Sequence, residues 1–403
     1  MSSVRRTRPV PERILAMSDV DRRLFLRGAG MASLGLGVPT LLSACGTSGT
    51  KVEADDCEST DKSDSEKQIF FSNWPEYIDV KGNKMPSLEK FQKESGIKVT
   101  YNADVNDNND FYAKVKNQLG ACEPVNRDIF VLTDWMAARM VNSGWLQKLD
   151  KANMPNFEQN LVENLQSPDW DENRDYSAPW QSGFTGIAYN AKYIDKPVGS
   201  FEELLTRSDL KGKVTMLKEM RDTMAFMIKL VGGDPEDFSE EEWQQAIDRL
   251  DQAVSDGQIR RFTGNDYVDE LNKGDIVACE AWAGDVIAMQ FDNPDIKWVV
   301  PEEGLSLWSD NMLVPNKAEH KTNAEKLINF YYDPVNAATL SAWVNYISPV
   351  QGAKEAMEKI DPSLVDNPLI FPTEDFLSQA FAFMALDDET AQQYDTDFAQ
   401  VIG

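Results

Sequence analysis

The chain has 403 residues, of which 42% are hydrophobic and 27% charged, and its formal charge is −27. This length is ample for two domains. So acidic a surface repels nucleic acid and favours cationic partners, which excludes a nucleic-acid-binding role. Most of these carboxylates are equally typical of an acidic solvating shell, as in salt-adapted proteins.

The N-terminal 44 residues have the pattern of an export signal. The run DRRLFLR at 21–27 resembles a twin-arginine motif, with Asp21 where Ser or Thr is usual. The mildly apolar stretch 28–44 suits a signal h-region better than a membrane span. It leads into Leu-Ser-Ala-Cys45, which resembles a lipobox. Residues 1–44 are therefore predicted to be a cleaved signal peptide, with Cys45 lipidated and anchoring the protein to the outer face of the cell membrane.

Residues 45–67 are predicted to be a lipidated, disordered tether. The segment is rich in Ser, Thr, Asp, Glu and Lys and short of apolar residues. It therefore cannot bury enough surface to offset the loss of chain entropy, and its span would be roughly 25 Å. Residues 1–44 carry seven basic and three acidic side chains, so the chain without them has a formal charge of −31.

Three cysteines remain after Cys45. Cys57 lies just upstream of an apolar run at 69–71, and Cys122 lies just upstream of another at 129–132. If these runs form neighbouring strands, the two thiols could form a disulfide, which an extracytoplasmic compartment permits. Cys279 lies within an apolar run and is predicted to be a small buried residue.

Short apolar runs alternate with helical patterns along the rest of the chain. This alternation predicts α/β layers with mainly parallel sheets. Ser200 and Ser239 are each followed three residues later by Glu, which predicts two capping boxes. The apolar runs are 69–71, 98–101, 129–132, 276–281 and 312–314, and the predicted helices are 87–95, 110–119, 239–254, 323–332 and a further one to about Val344.

The sequence lacks the residues that most catalytic sites need. The single histidine, His320, lies in a Lys/Glu-rich loop and is predicted to be a solvated surface residue. With one histidine, Ser-His-Asp, Cys-His and HExxH sites cannot be assembled. The run DVNDNND at 104–110 begins like a calcium loop, but Asn109 and Val115 stand where Gly and a bidentate Glu are needed. No catalytic residue, metal or cofactor is predicted, although a hydrolase with two carboxylates stays open.

Aromatic and acidic residues occur together at the ends of four apolar runs. Each couple alone is usual, because a tryptophan near a strand end packs on the core and an aspartate caps a helix. However, the carboxyl ends of strands line the ligand crevice of α/β sheets, so that these couples could converge there. The couples are Trp74/Glu76/Tyr77, Thr133-Asp134-Trp135, Trp282/Asp285 and Trp308/Asp310.

A crevice lined in this way suits a flexible diamine or triamine. Carboxylates pair with ammonium groups through charge-assisted hydrogen bonds. Tryptophan and tyrosine faces attract cations and also shield methylene chains. A site for simple sugars needs aromatic rings but fewer carboxylates, and the carboxylates of this crevice would repel phosphate or citrate.

Several of these motifs resemble a known family. Asn73-Trp-Pro-Glu-Tyr77, Trp282-Ala-Gly-Asp285, the Asp310 segment followed by Pro315, and KLINF at 326–330 are similar to the polyamine-binding proteins of bacterial ABC importers. The similarity covers residues 68 to about 350. It implies an α/β fold of the two-lobed, type II periplasmic-binding-protein kind, with the ligand cleft between the lobes.

The resemblance also implies how the chain divides. One lobe would comprise 68–183 and 309–356, and the other 184–308 and 357–403. The chain would cross between the lobes near Gly183 and again near Trp308.

A ligand-binding set follows from the resemblance, residue by residue. The rings of its first loop would flank the polyamine, and Asp310 would be the principal acid for an ammonium group. For Glu219 and Asp222 a helix start or a pair with Arg221 is the structural alternative. Pro75 and Gly264 replace hydroxyl-bearing residues of the family pattern, so putrescine and spermidine both stay open. The implied set is Trp74, Glu76, Tyr77, Thr133, Trp135, Glu219, Asp222, Trp282, Asp285, Trp308, Asp310 and Tyr346.

These features predict a monomeric, membrane-tethered receptor that captures a polyamine outside the cell and delivers it to an ABC permease. Three alternatives stay open: a receptor of the same fold for an ω-amino acid, thiamine or a sugar; an exported hydrolase; and a lipoprotein that signals polyamine levels to a sensor partner. An arginine placed to clamp a carboxylate inside the crevice would favour the ω-amino acid.

Overall fold

The structure is a computed structural model that describes residues 57 and 59–403. The predicted signal peptide, Cys45 and the first part of the predicted tether lie outside these residues. The described part of the chain forms one sheet of ten strands, with fourteen α-helices between them. None of its helices has the length and apolar character that crossing a membrane requires.

The strands and helices follow the predicted alternation, mostly within three residues of the predicted bounds. The strands are β1 Gln68–Asn73, β2 Lys98–Ala103, β3 Ile129–Thr133, β4 Ser177–Asn190, β5 Val214–Leu217, β6 Ile259–Thr263, β7 Ala278–Trp282, β8 Ile296–Val299, β9 Leu305–Leu313 and β10 Ala380–Phe381. The helices are α1 Pro86–Ser95, α2 Asn108–Gly120, α3 Asp134–Asn142, α4 Pro155–Asn160, α5 Phe201–Thr206, α6 Met220–Leu230, α7 Glu240–Ser255, α8 Tyr267–Lys273, α9 Ala283–Asp292, α10 Lys321–Tyr331, α11 Pro334–Val344, α12 Ala353–Ile360, α13 Glu374–Leu377 and α14 Asp388–Ile402.

Local signals set several of these helix ends. At α7 both halves of the predicted capping box are present, because Ser239 accepts from the Glu242 amide and Glu242 accepts from the Ser239 amide. At α5 only one half forms. Ser200 accepts from the Glu203 amide, but the Glu203 carboxylate turns to the amide of Gly199 and to a lysine instead. The reciprocal half of that predicted capping box was wrong.

The sheet is mixed, so the prediction of mainly parallel pairing was only partly right. Its strand order is β2-β1-β3-β9-β4-β7-β5-β6, with β10 beside β9 and β8 beside β4. Pairing is parallel within the two outer groups of strands. It is antiparallel wherever β4 or β9 meets β3, β7 or β8, and between β4 and β9 themselves. These two long strands join the two parallel groups.

Strands β4 and β9 carry both predicted crossing points. Gly183 of β4 is the register partner of Trp308 of β9. A methyl group added at Gly183 would lie 2.5 Å from Trp308 Cζ2 and 2.8 Å from Tyr346 Cδ1. Only glycine leaves room for these two rings at this position, because such contacts are far inside van der Waals distance.

Two hydrophobic clusters underlie the sheet. The larger one contains buried side chains of β1–β3, of β9 and of α10–α12, and it continues into β7, α8 and α9. The smaller one lies beneath β5, β6 and α5–α7 and includes residues of α14. There Tyr394 of α14 stacks on Trp243 with a centroid distance of 3.8 Å, so the C-terminal helix belongs to this second core.

Part of the predicted tether is ordered, which corrects the prediction for residues 59–67. Ser63 is buried, and its hydroxyl accepts from the Asn323 amide in the first turn of α10. Asp61 accepts from the Thr322 amide, and Lys62 pairs with Glu319. The segment has too few apolar side chains for hydrophobic burial alone to order it. Here short polar side chains satisfy the free amides of a helix N-terminus instead.

His320 is buried rather than solvated, so its prediction as a surface residue was wrong. It is 3% exposed, and its Nδ1 lies 3.0 Å from both Asp128 carboxylate oxygens. Its Nε2 lies 3.2 Å from Glu66, within the ordered part of the predicted tether. A charged loop in the sequence thus became a buried polar cluster, because its partners lie far away in the chain.

Cysteine placement agrees with the sequence. Cys57 and Cys122 form a disulfide that closes a sequence separation of 65 residues. Strands β1 and β3 are parallel neighbours, as that pairing requires. Cys279 is free and fully buried in β7.

Candidate ligand-binding cleft

A cavity of about 290 Å³ is lined by residues from both parallel groups of strands and from β9. It brings together members of all four aromatic–acid couples, whose segments are up to 236 residues apart in the chain, Trp74 being the first and Asp310 the last. Eleven of the twelve predicted ligand-binding residues line it: Trp74, Tyr77, Thr133, Trp135, Glu219, Asp222, Trp282, Asp285, Trp308, Asp310 and Tyr346.

Asp310 lies at the centre of the polar contacts. It is 4% exposed, and the Thr133 hydroxyl donates to its Oδ1 over 2.8 Å. The Tyr77 hydroxyl is buried near this carboxylate but forms no hydrogen bond. Burial raises the pKa of Asp310 to about 7, and the Thr133 hydrogen bond opposes that shift. A cation at this carboxylate would restore its charged form.

Asp222 and Asp285 lie on helices α6 and α9, which follow strands β5 and β7 on the other side of the joining strands β4 and β9. Asp222, near the start of α6, accepts from the Thr185 hydroxyl over 2.5 Å, and burial raises its pKa to about 6. Asp285, in the first turn of α9, accepts from Tyr267 over 2.8 Å and from Asn265 over 2.9 Å. Burial raises the pKa of Asp285 as well. The carboxylates therefore enter from both sides of the cavity.

Glu219 ties the two halves together. Its Oε1 accepts from the Asn108 amide over 2.8 Å, and both carboxylate oxygens lie 3.1 Å from Asn108 Nδ2. Asn108 Nδ2 also donates to Thr133, whose hydroxyl donates to Asp310. Burial, and then the charge of Asp107, raise the pKa of Glu219 well above its usual range. One hydrogen-bonded chain thus connects the α6 start to the Asp310 site.

Aromatic rings form the walls of the cavity. Trp74 meets Trp282 edge-to-face at 6.1 Å, which joins the first predicted couple to the third. Tyr346 meets both Tyr77 and Trp308 at 5.3 Å. Buried indole and phenol rings shield an apolar chain and attract a cation.

Glu76 is the one predicted ligand contact that the structure does not bring to the cavity. Its side chain is exposed, and its backbone has a φ of +56°. Glu76 is thus exposed, whereas Trp74 and Tyr77 are buried and line the cavity.

Several residues that line or support the cavity were not predicted from the sequence, and the lining ones include Arg139, Asn142, Trp170 and Asn265. Asn108 lies in the rejected calcium-like run, where only its polar type could have drawn attention. Arg221 was considered only as a partner for neighbouring acids, yet it lines the cavity. The segment 382–386 lines it too, although the family resemblance fades towards the C-terminus. Nothing in their local sequence marks these residues.

The fold and the cleft together define a two-lobed solute-binding protein of α/β type. The family described as bacterial extracellular solute-binding protein matches residues 87–372, and the chain belongs to this family. The resemblance seen in the motifs is thereby confirmed.

Relatives within this class are polyamine-binding by name. The chain is 27% identical over 312 residues to the spermidine/putrescine-binding periplasmic protein of Escherichia coli (strain K12), covering 77% of this chain and 84% of that one. It is 26% identical over 342 residues to the putrescine-binding periplasmic protein PotF of the same strain, covering 80% and 88%. A putative spermidine/putrescine ABC transporter from Listeria monocytogenes has a TM-score of 0.73 and 25% identity, over 83% of this chain and 99% of its own.

Proposed function

We propose that the protein is the extracytoplasmic receptor of an ABC importer and that it captures a polyamine, putrescine or spermidine, in the cleft. The observation that carries the proposal is the meeting of Asp310, Asp222 and Asp285 with a wall of rings in one cavity. The names of the relatives at 26–27% identity support the same ligand class. Receptor function needs no covalent step and no cofactor.

In this proposal the ligand stabilises the closed arrangement of the two lobes. Thr133 ends β3, and Asp310 is its partner on the joining strand β9, whereas Asp222 and Asp285 lie in the first turns of helices that follow β5 and β7 of the other group. A ligand that contacts both groups selects the population in which they are close together. The closed complex would then be the form that the permease subunits recognise.

We also propose the lobe division 68–183 with 309–356 and 184–308 with 357–403. The antiparallel pairing of β4 with β9, where Gly183 faces Trp308, supports the first two crossings. The packing of α14 on the second cluster supports the return of the C-terminus to that lobe. The boundary at 356 falls within α12, so the last crossing would lie after this helix.

Anchoring belongs to the same proposal. Lipidation of Cys45 would hold a monomeric receptor at the outer face of the cell membrane. Because residues 59–67 pack on the body, the free tether would be shorter than 45–67. Cys45→Ala should release the protein from membranes if the anchor is correct, and unchanged membrane association of this variant would contradict it.

Calorimetry with putrescine, spermidine, sugars and amino acids tests the ligand class. We expect micromolar or tighter binding of a polyamine, about −8 kcal/mol or better. Asp310→Asn should weaken it by about 1–2 kcal/mol, the scale of a lost charged hydrogen bond. The matched control is Asp251→Asn on the exposed face of α7. Equal affinity of Asp310→Asn and wild type would refute the assignment.

A further inference from the structure

The cleft contains a basic group that the capture of an ammonium group leaves unused. Arg221 lines the cavity and is 8% exposed. Its Nε and Nη1 are buried and have no hydrogen-bond partner. Buried donors without partners are rare and costly, and a guanidinium is always charged. The side chain is therefore equipped to donate to a group that enters the cleft.

Stacking holds this guanidinium in place. Its central carbon lies 3.6 Å from the Trp135 ring centroid and 5.8 Å from that of Phe383. Stacking uses the flat face of a guanidinium and leaves its N–H edge available for hydrogen bonds. Trp135 is one of the predicted ligand-binding rings. In the structure it stacks on a cation of the protein, Arg221, instead of offering that face to a cation of the ligand.

The nearest ion partner leaves Arg221 unsatisfied. Asp395 Oδ1 lies 4.0 Å from Arg221 Nη1, beyond hydrogen-bond distance. The same carboxylate lies 3.7 Å from Arg139 Nη1 and accepts from Asn109 over 3.2 Å. Two guanidiniums thus share one carboxylate at this end of the cavity. The charge of Glu219 also acts on Arg221, but the Glu219 carboxylate accepts from Asn108 and leaves Arg221 without a hydrogen-bonded acid.

We propose that Arg221 forms an acceptor-binding subsite, which takes a carboxylate or carbonyl oxygen carried at the far end of an amine whose ammonium group is held at Asp310. The inference rests on the proposed function, because it needs the ammonium site. It adds ω-amino acids and N-acylated diamines to the polyamines as ligands of this cleft. Both supply the same chemistry, an oxygen that accepts from the Arg221 guanidinium.

The test compares three ligands that share a four-carbon chain: putrescine, γ-aminobutyrate and N-acetylputrescine. Calorimetry is run on wild type, Arg221→Met, Arg221→Lys and the exposed control Arg260→Met. We expect Arg221→Met to weaken γ-aminobutyrate and N-acetylputrescine at least tenfold and putrescine less than twofold. A loss confined to γ-aminobutyrate would assign the subsite to carboxylates, and a loss for both would assign it to oxygen acceptors in general.

Two results would overturn the proposal. One is that wild type binds neither acceptor-bearing ligand, including ω-amino acids of three to six carbons. The other is that Arg221→Met and Arg221→Lys weaken all three ligands alike, which would make Arg221 a structural prop for Trp135. Asp310→Asn separates this failure from that of the proposed function, since it should weaken every ligand that wild type binds. If putrescine bound equally well to Asp310→Asn, the ammonium site itself would be wrong.

Discussion

The Thr133 hydroxyl donates a 2.8 Å hydrogen bond to the Asp310 carboxylate across a sequence separation of 177 residues. The two residues are register partners of the antiparallel strands β3 and β9. This bond stabilises the charged form of a carboxylate that burial otherwise disfavours.

Polyamine affinity should therefore depend on pH. The pKa of Asp310 is about 7 and that of Asp222 about 6, both above the ordinary 3.8. An ammonium ligand binds the ionised forms, so its affinity should fall as the pH drops through this range. We expect a loss of about tenfold or more between pH 7.5 and pH 5.5. The ligand-free protein should change in the opposite sense, because a raised carboxyl pKa lowers folding stability as the pH rises from about 4 to 7.

Calorimetry in buffers of different ionisation enthalpy would measure the linked proton release. Asp310→Asn should remove most of the pH dependence. Thr133→Val should move its midpoint upward, whereas Thr339→Val on the exposed face of α11 should not. An affinity that stayed constant from pH 5.5 to 7.5 would show that these carboxylates do not meet the ligand's charge.

Gly183→Ala should damage the cleft without touching a polar group. The added methyl group would collide with the Trp308 and Tyr346 rings. Overpacking of this kind costs about 1–3 kcal/mol, so the melting temperature should fall and ligand affinity should drop with it. Gly120→Ala, at the exposed end of α2 with its nearest neighbour atom at 3.7 Å, is the matched control. Normal binding by Gly183→Ala would mean that the two rings can shift freely.

Asn108→Ala should loosen the tie between the two lobes. It removes the side-chain donor to Glu219 and Thr133, a loss of about 1–3 kcal/mol for a buried polar group left unpaired. We expect weaker polyamine binding and a larger radius of gyration by small-angle scattering. Asn102→Ala, exposed on β2, is the control. An unchanged radius and affinity would show that other contacts keep the lobes together.

Reduction of the Cys57–Cys122 disulfide should lower stability. Closing a loop of this length constrains the unfolded chain, and such a bridge is worth about 2–4 kcal/mol. Urea unfolding with and without dithiothreitol measures the difference. The double variant Cys57→Ser/Cys122→Ser should lose the response to reductant, and Cys279→Ala should keep it. Identical unfolding curves for wild type in both conditions would count against a stabilising bridge.

Local chemistry made much of this molecule predictable from its sequence. Apolar runs and caps placed β1, β3 and α7 within a few residues. The couples that follow β1, β3 and β7 predicted residues of the cavity. These features depend on residues that are close together in the chain. The couple of Trp308 and Asp310 differs, because it lies within β9, antiparallel to β3, and reaches the cavity through the pairing of Asp310 with Thr133.

The parts of the fold and the cleft that could not be predicted depend on contacts between distant segments of the chain. His320 and Ser63 are polar residues whose burial depends on partners from other parts of the chain. Arg221 faces Trp135 and Asp395 only after α3, α6 and α14 have come together. The left-handed backbone at Glu76 likewise has no marker in its sequence, since glutamate rarely adopts it. No periodicity or spacing records such relationships.

The pairing of Gly183 with Trp308 joins recognition to movement. In the proposed lobe division, both residues lie on the pair of strands that connects the lobes, and the Trp308 indole also lines the cavity. Opening of the lobes in that proposal would turn this indole, so that ligand affinity and the width of the cleft would change together. A variant that stiffened this pair of strands would alter the rate of ligand release as well as the affinity.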